Sequence, residues 1–253
     1  MTAESLLVAE QVTVEFGGNR ALSEVDLDAR AGEITGLIGP NGAGKTTLFN
    51  VITGLLSPTT GRIRFDGRDV SRLDTHRRAR LGIARTFQRL ELFTDLTVRD
   101  NLRVAGEIRN TWGGFGFGRG SRRINVARET DHVLDLIGLT GIADADVSTI
   151  PTGTARVVEL GRSLMIQPRL VLLDEPASGQ SDDETKAFEA LLRRLVREDG
   201  LTILLVEHDM ALVMEVCDRI HVLDFGEIIA DGSPDHVRSD PRVRDAYLGT
   251  ATS

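Results

Sequence analysis

Nine residues constrain this chain more than any others: Gly39-Pro40-Asn41-Gly42-Ala43-Gly44-Lys45-Thr46-Thr47. They fit the pattern G-x-x-x-x-G-K-[ST] and stand between two regular elements. Ahead of them Ile34-Thr35-Gly36-Leu37-Ile38 reads as a buried strand. Behind them Leu48, Val51, Ile52 and Leu55 recur at helical spacing, with Gly54 as the stop. A glycine-rich turn from strand to helix aims successive backbone N–H groups, and the positive end of the helix dipole, at one point suited to a phosphate. Lys45 can then reach the β- and γ-phosphates of a nucleotide, and the Thr46 hydroxyl can ligate Mg²⁺. Lys45 is one of only two lysines among 30 basic residues, so its use here in place of arginine follows the chemistry.

Around this turn the chain has 253 residues, enough for one large domain or a core with a modest insertion. With 41% apolar and 27% charged residues, its composition is that of a soluble globular protein. The net charge of −8 disfavours a general nucleic-acid binder, which must neutralise many phosphates. No apolar run approaches a membrane span and the N-terminus lacks a signal-peptide pattern, which points to the cytoplasm. The single cysteine, Cys217, excludes an internal disulfide framework and falls among Leu212, Val213 and Val216, where an inert core thiol is expected.

Residues 6–16 and 25–29 alternate with period two and read as strands of an antiparallel face. Residues 63–70 form a hairpin around Asp66-Gly67. Residues 82–87 read as a strand ending at Gln88. From residue 97 the pattern becomes helical, with Thr97 as a cap and Val98, Leu102 and Val104 along one face. Residues 112–120 are too glycine-rich to be regular; they are a surface loop or an aromatic anchor for a partner. A helix with Val126, Val133, Leu134 and Ile137 inward then runs to Gly138. After residue 160 the alternation of strands and helices returns. Leu170-Val171-Leu172-Leu173 is apolar throughout, as a strand buried on both faces of a parallel sheet must be. Ser181-Asp182-Asp183-Glu184 is a capping box. Strands follow at 201–206, 220–223 and 228–230, then helical turns ending in Tyr247-Leu248-Gly249. The pattern is a discontinuous α/β core, residues 1–95 and 160–253, with a mostly helical insertion at 96–159.

Several other residues fit the chemistry of a bound triphosphate. The strand 170–173 ends in Asp174-Glu175. In phosphate-loop enzymes the first acid at such a strand end holds Mg²⁺, usually through water, and a neighbouring Glu polarises the attacking water. Alternation along the strand lets the two side chains serve separate roles. Val206-Glu207-His208-Asp209 ends the next buried strand, and ligands of open α/β sheets collect beyond strand carboxyl ends. Of five histidines only His208 is so placed. Gln88 can bring a neutral amide to Mg²⁺ and the water. Phe16, followed by Gly17-Gly18, is either a core aromatic or a platform for adenine.

These residues together resemble the ATP-binding subunit of an ATP-binding-cassette (ABC) transporter, and within that family the Liv-type subunit of branched-chain amino acid importers. The likeness rests on Phe16-Gly17-Gly18, the loop 39–47, Gly82-Ile83-Ala84-Arg85-Thr86-Phe87-Gln88, residues 92–102, Leu172 to Ala177, Val206 to Asp209 and the ending Ala246 to Gly249. It implies an α/β fold: a RecA-like P-loop core with an antiparallel β subdomain in 1–95, a helical subdomain in 96–159 and the rest of the core in 160–253. It implies ATP and Mg²⁺ as ligands. Phe16 would stack on adenine. Gly39, Asn41, Gly42, Ala43, Gly44, Lys45, Thr46 and Thr47 would cradle the phosphates. Thr46, Gln88 and Asp174 would serve the metal, and Glu175, His208 and Gln88 would carry catalysis. The implied partners are a second ABC ATPase subunit, membrane permease subunits and, indirectly, a solute-binding protein, at the cytoplasmic face of the membrane, with no nucleic acid.

The family's L-S-G-G-Q signature is degenerate. Ile150-Pro151-Thr152-Gly153-Thr154 stands in its place, and Pro151 replaces the serine that would bind the γ-phosphate on the opposite subunit, removing a hydroxyl and an N–H. One charge-assisted hydrogen bond lost there costs roughly 1.5–3 kcal/mol. Ser178-Gly179-Gln180-Ser181 likewise departs from the usual loop after the catalytic Glu. The expectation is therefore asymmetric: a complete half-site for the chain's own ATP and a weakened one offered to its partner. The rival classes are a soluble ABC ATPase outside transport, which would carry long coiled coils or two cassettes, and a nucleotide-binding regulator with little hydrolysis, against which Glu175 and His208 argue.

Overall fold

A computed structural model of the chain describes residues 5–112 and 123–248, so the expected loop at 112–120, apart from Trp112, and the terminal Gly249 lie outside the described residues. The chain divides into two compact units, residues 1–78 with 193–253, and residues 79–192.

The first unit holds an antiparallel sheet of β1 (Ser5–Phe16), β2 (Asn19–Arg30), β4 (Thr60–Phe65) and β5 (Arg68–Asp69), in the order β2-β1-β4-β5. The β4–β5 turn is Asp66-Gly67 with φ of 52° and 71°, the double positive that a tight hairpin matching strand twist requires. β2 begins well before residue 25 because Asn19 and Arg20 pair with Phe16 and Glu15. A kink at Glu24, φ 50°, breaks the alternation that would have revealed it. Beside this sheet lie β3 (Ile34–Ile38), β8 (Thr202–Val206) and β9 (Arg219–Asp224). β3 pairs in parallel with both others, and β10 (Glu227–Gly232) runs antiparallel to β9. Every residue of β3 and β8 is buried, which is why both read as unbroken apolar runs.

α1 (Lys45–Thr53) follows β3 and turns Leu48, Phe49, Val51 and Ile52 into the core. Gly54 ends it at φ 79°. Leu55, expected on the helix's apolar face, instead lies past this stop and is exposed. Arg78, fully buried, closes the same helix end: Nη1 donates to Val51 O and Ile52 O at 2.6 and 2.7 Å, Nε to Leu73 O and Nη2 to Ser71 O. Burial pushes its guanidinium pKa down to about 10. The remaining helices that begin in this unit are α2 (Thr75–Leu81), which carries Arg78, α7 (Met210–Val216), α8 (Pro234–Ser239) and α9 (Pro241–Leu248). Cys217 is buried and its thiol pKa is pushed up by desolvation, as an inert core thiol's should be.

The second unit pairs β6 (Ile83–Arg85) in parallel with β7 (Leu170–Asp174) and packs α3 (Val98–Thr111), α4 (Val126–Leu136) and α5 (Thr152–Leu164) around Leu102, Val133, Leu134, Val158 and Leu160. Thr97 caps α3 by accepting the Asp100 N–H. Ser181 and Glu184 form the expected capping box before α6 (Asp182–Asp199): Ser181 N–H and Oγ both donate to the Glu184 carboxylate, at 2.9 and 2.8 Å. Among the described residues no helix is long and apolar enough to cross a membrane.

Candidate nucleotide site

In the first unit the loop leaves β3 at Gly39, whose φ is 153°; a Cβ there would stand 1.9 Å from Leu223 O, so only glycine fits. Gly44 enters α1 at φ 110°. The first helical bond, Leu48 N–H to Gly44 O, lies beyond the N–H groups of residues 45–47, the helix-start donors that suit an anion. Lys45 is buried and folds its ammonium back onto the loop, donating to Gly39 O at 2.6 Å and Pro40 O at 2.9 Å. Ala43 is buried, Thr47 half-buried, and Asn41, Gly42 and Thr46 are exposed. The helix-start N–H groups and one ammonium on the same short segment are donors of the kind a polyphosphate takes.

Two side chains from elsewhere in this unit were expected at the nucleotide. Phe16 ends β1 and is 52% exposed, so the alternative of a core aromatic does not hold. His208 is exposed just after β8, and its N–H donates to the Glu207 carboxylate. Asp209 caps α7 by accepting from Ala211 and Leu212 N–H, a structural duty for the last letter of that motif. Tyr247 was visible in the sequence only as part of a terminal tripeptide. Burial pushes its phenol up to about 12, opposed by a hydrogen bond with the Gly39 backbone, which ties α9 to the start of the loop.

In the second unit Gln88, Asp174 and Glu175 come together. Asp174 ends β7 with its carboxylate buried. Glu175 follows with φ of 49°, a left-handed conformation that costs a non-glycine residue about 1 kcal/mol or more. Its Oε2 accepts a hydrogen bond from Gln88 Nε2 at 2.8 Å. Arg85, at the end of β6, donates from Nη2 to Asp174 Oδ2 at 2.9 Å. From α5, Arg156 donates to Phe87 O and Gln88 O at 3.1 and 2.6 Å, and Glu159 accepts the Phe87 N–H. Burial raises the Glu159 pKa, while that N–H and Arg156 work against the rise. Arg156 and Glu159 do not stand out in the sequence, where a charge at such spacing reads as a solvated face, and Arg85 is visible there only as part of the 82–88 stretch.

The signature segment opens α5. Pro151 is the N-cap residue, with no side-chain cap bond, and Thr152 is exposed. A Cβ on Gly153 would stand 2.5 Å from Glu184 Oε1, the far end of a flexible side chain that could give way.

Thr46 in the first unit, and Gln88 and Asp174 in the second, each carry an oxygen of the kind a hard cation takes, and among the described residues no group of three or more His, Cys, Asp or Glu could hold a metal alone. Mg²⁺ suits such a set, since it keeps several waters and leans on one carboxylate plus substrate phosphates.

The sequence pattern of the family described as ABC transporter matches residues 22–178, more than half of the chain. The chain belongs to the ABC transporter family. The pattern of the Branched-chain amino acid ATP-binding cassette transporter matches residues 227–252, the stretch carrying β10, α8 and α9. This ABC chain is 40% identical to the high-affinity branched-chain amino acid transport ATP-binding protein BraF of Pseudomonas aeruginosa, over 97% of its own length and 98% of that protein's. It is similar, at TM-score 0.85 and 30% identity over 97% of the chain and 99% of the other, to an ABC transporter's ATP-binding cassette solved in its ADP conformation. A dimeric cassette bound to ADP and Pi is similar at TM-score 0.75 and 25% identity, over 90% and 98%. These likenesses bear out an α/β fold of the P-loop, RecA-like kind.

Proposed function

We propose that this ABC ATPase is the motor of an importer for branched-chain amino acids or close analogues, working on separate permease subunits from the cytoplasmic face of the membrane. The solute follows the likeness to BraF, and a solute-binding protein would deliver it. The observation that carries the catalytic reading is Glu175, held at a strained φ and hydrogen-bonded to Gln88 beside Asp174.

The loop 39–47 holds the phosphates with backbone N–H groups, and Lys45 exchanges its carbonyl partners for the β- and γ-phosphate oxygens. Phe16 stacks on the adenine. Thr46, Asp174 and Gln88 would hold Mg²⁺, which would offset the charge of the phosphates. Glu175 accepts the proton of the attacking water, Gln88 orients that water, and His208 donates to the γ-phosphate as it leaves. Gln88 also lies on the segment that passes motion to the permease. The partner is a second ABC ATPase subunit with an intact signature, which completes this chain's own site. The site that Pro151 and Thr152 offer in return is the weaker one.

Glu175→Gln keeps the hydrogen-bonding shape and removes the base. Phosphate release should fall at least about 100-fold with ATP binding retained, and turnover near wild type would remove Glu175 from this role.

A further inference from the structure

One short stretch holds both acids. Gln88 holds Glu175, and three residues earlier Arg85 holds Asp174. β6 and β7 run in parallel with Arg85 opposite Leu172, so both strands release their last side chains at the same end. The Arg85 and Asp174 side chains are 7% and 8% exposed, so this is a buried ion pair. The Arg85 guanidinium also lies over the Phe87 ring, 5.0 Å from its centroid, which fixes it from the other side.

We infer that Arg85 is a resident counter-ion for Asp174 that Mg²⁺ must displace, and that it thereby sets the Mg²⁺ concentration at which the chain grips nucleotide. This rests on the assignment of Asp174 to Mg²⁺. A carboxylate buried without a cation is costly, so the nucleotide-free chain supplies one from its own sequence. Once the metal arrives, a divalent ion and a guanidinium compete for one carboxylate where water screens them poorly. Arg85 is thus a positioning residue: it keeps Asp174 ready and withholds it from metal until nucleotide phosphates add their own ligands.

The test titrates Mg²⁺ into the full chain with a fluorescent ATP analogue and reads binding, not turnover. Arg85→Met keeps a long apolar stem on Phe87 and removes the charge; the Mg²⁺ midpoint should fall about ten-fold. Arg85→Lys, which keeps the charge, should stay within about two-fold of wild type. Arg85→Gln serves in the same assay, with the same expected fall, should the methionine variant not fold. A purely structural arginine would lower melting temperature in all these variants and leave the midpoint where it was. Asp174→Asn separates the two levels of the reading. If it leaves the midpoint unmoved, the assignment of Asp174 to Mg²⁺ fails. If it raises the midpoint while Arg85→Met or Arg85→Gln does not lower it, the counter-ion role alone is overturned.

Discussion

Arg78 is a buried charge whose partners are all backbone carbonyls. Helix ends leave carbonyls without intrahelical partners, and α1 ends inside the protein where water cannot serve them. Arg78 reaches in from outside the helix and satisfies Val51 and Ile52, and its remaining nitrogens serve Leu73 and Ser71. Replacing it with alanine leaves these carbonyls to find other donors and opens a cavity against Gly54. The expected loss is about 3 kcal/mol, which a chain of this size shows as a fall in melting temperature of roughly 6–12 °C. Arg78→Lys should recover only part of it, because one ammonium cannot reach four carbonyls. Thermal unfolding of both variants checks this, and unfolding within a degree of wild type would assign the arginine no such role.

Among the elements, α5 has the widest reach. Its first turn is the degenerate signature, and its second grips the backbone at residues 87 and 88 through Arg156 and Glu159. A displacement at the helix start is therefore felt directly by the segment that carries Gln88. Arg156→Ala should release that segment: amide exchange across residues 87–93 should quicken at least about ten-fold, and ATP should still bind. Exchange unchanged from wild type would leave α5 with no hold on the segment. The parallel strands were legible because burial on both faces leaves no room for polar residues, and β3, β7 and β8 carry none beyond Thr35, Thr202 and the terminal Asp174. The capping box was legible because its chemistry is local. What could not be read were the contacts that charged side chains make across long stretches of sequence. Arg78, Arg85, Arg156 and Glu159 look like surface residues until the fold closes over them. Among the candidate residues, the sequence pointed to Gln88, Asp174 and Glu175 by motif, and their meeting follows from the parallel pairing of β6 with β7.

On the scale of the whole molecule, the weak signature has a consequence for assembly. A homodimer would confront each ATP with a proline where a phosphate donor is needed, whereas a pair with a second ATPase subunit would supply an intact helix start to this chain's nucleotide. The isolated chain should therefore hydrolyse ATP slowly and gain about ten-fold or more when mixed with its proper partner. Rapid turnover by the chain alone would overturn this asymmetric reading. The hydrogen bond between Tyr247 and Gly39 has a bearing on synthesis. On the ribosome the glycine-rich turn emerges early, yet that phenol is among the last described residues to appear. A nascent chain would therefore carry the glycine-rich turn long before the contact that ties it to α9 could form.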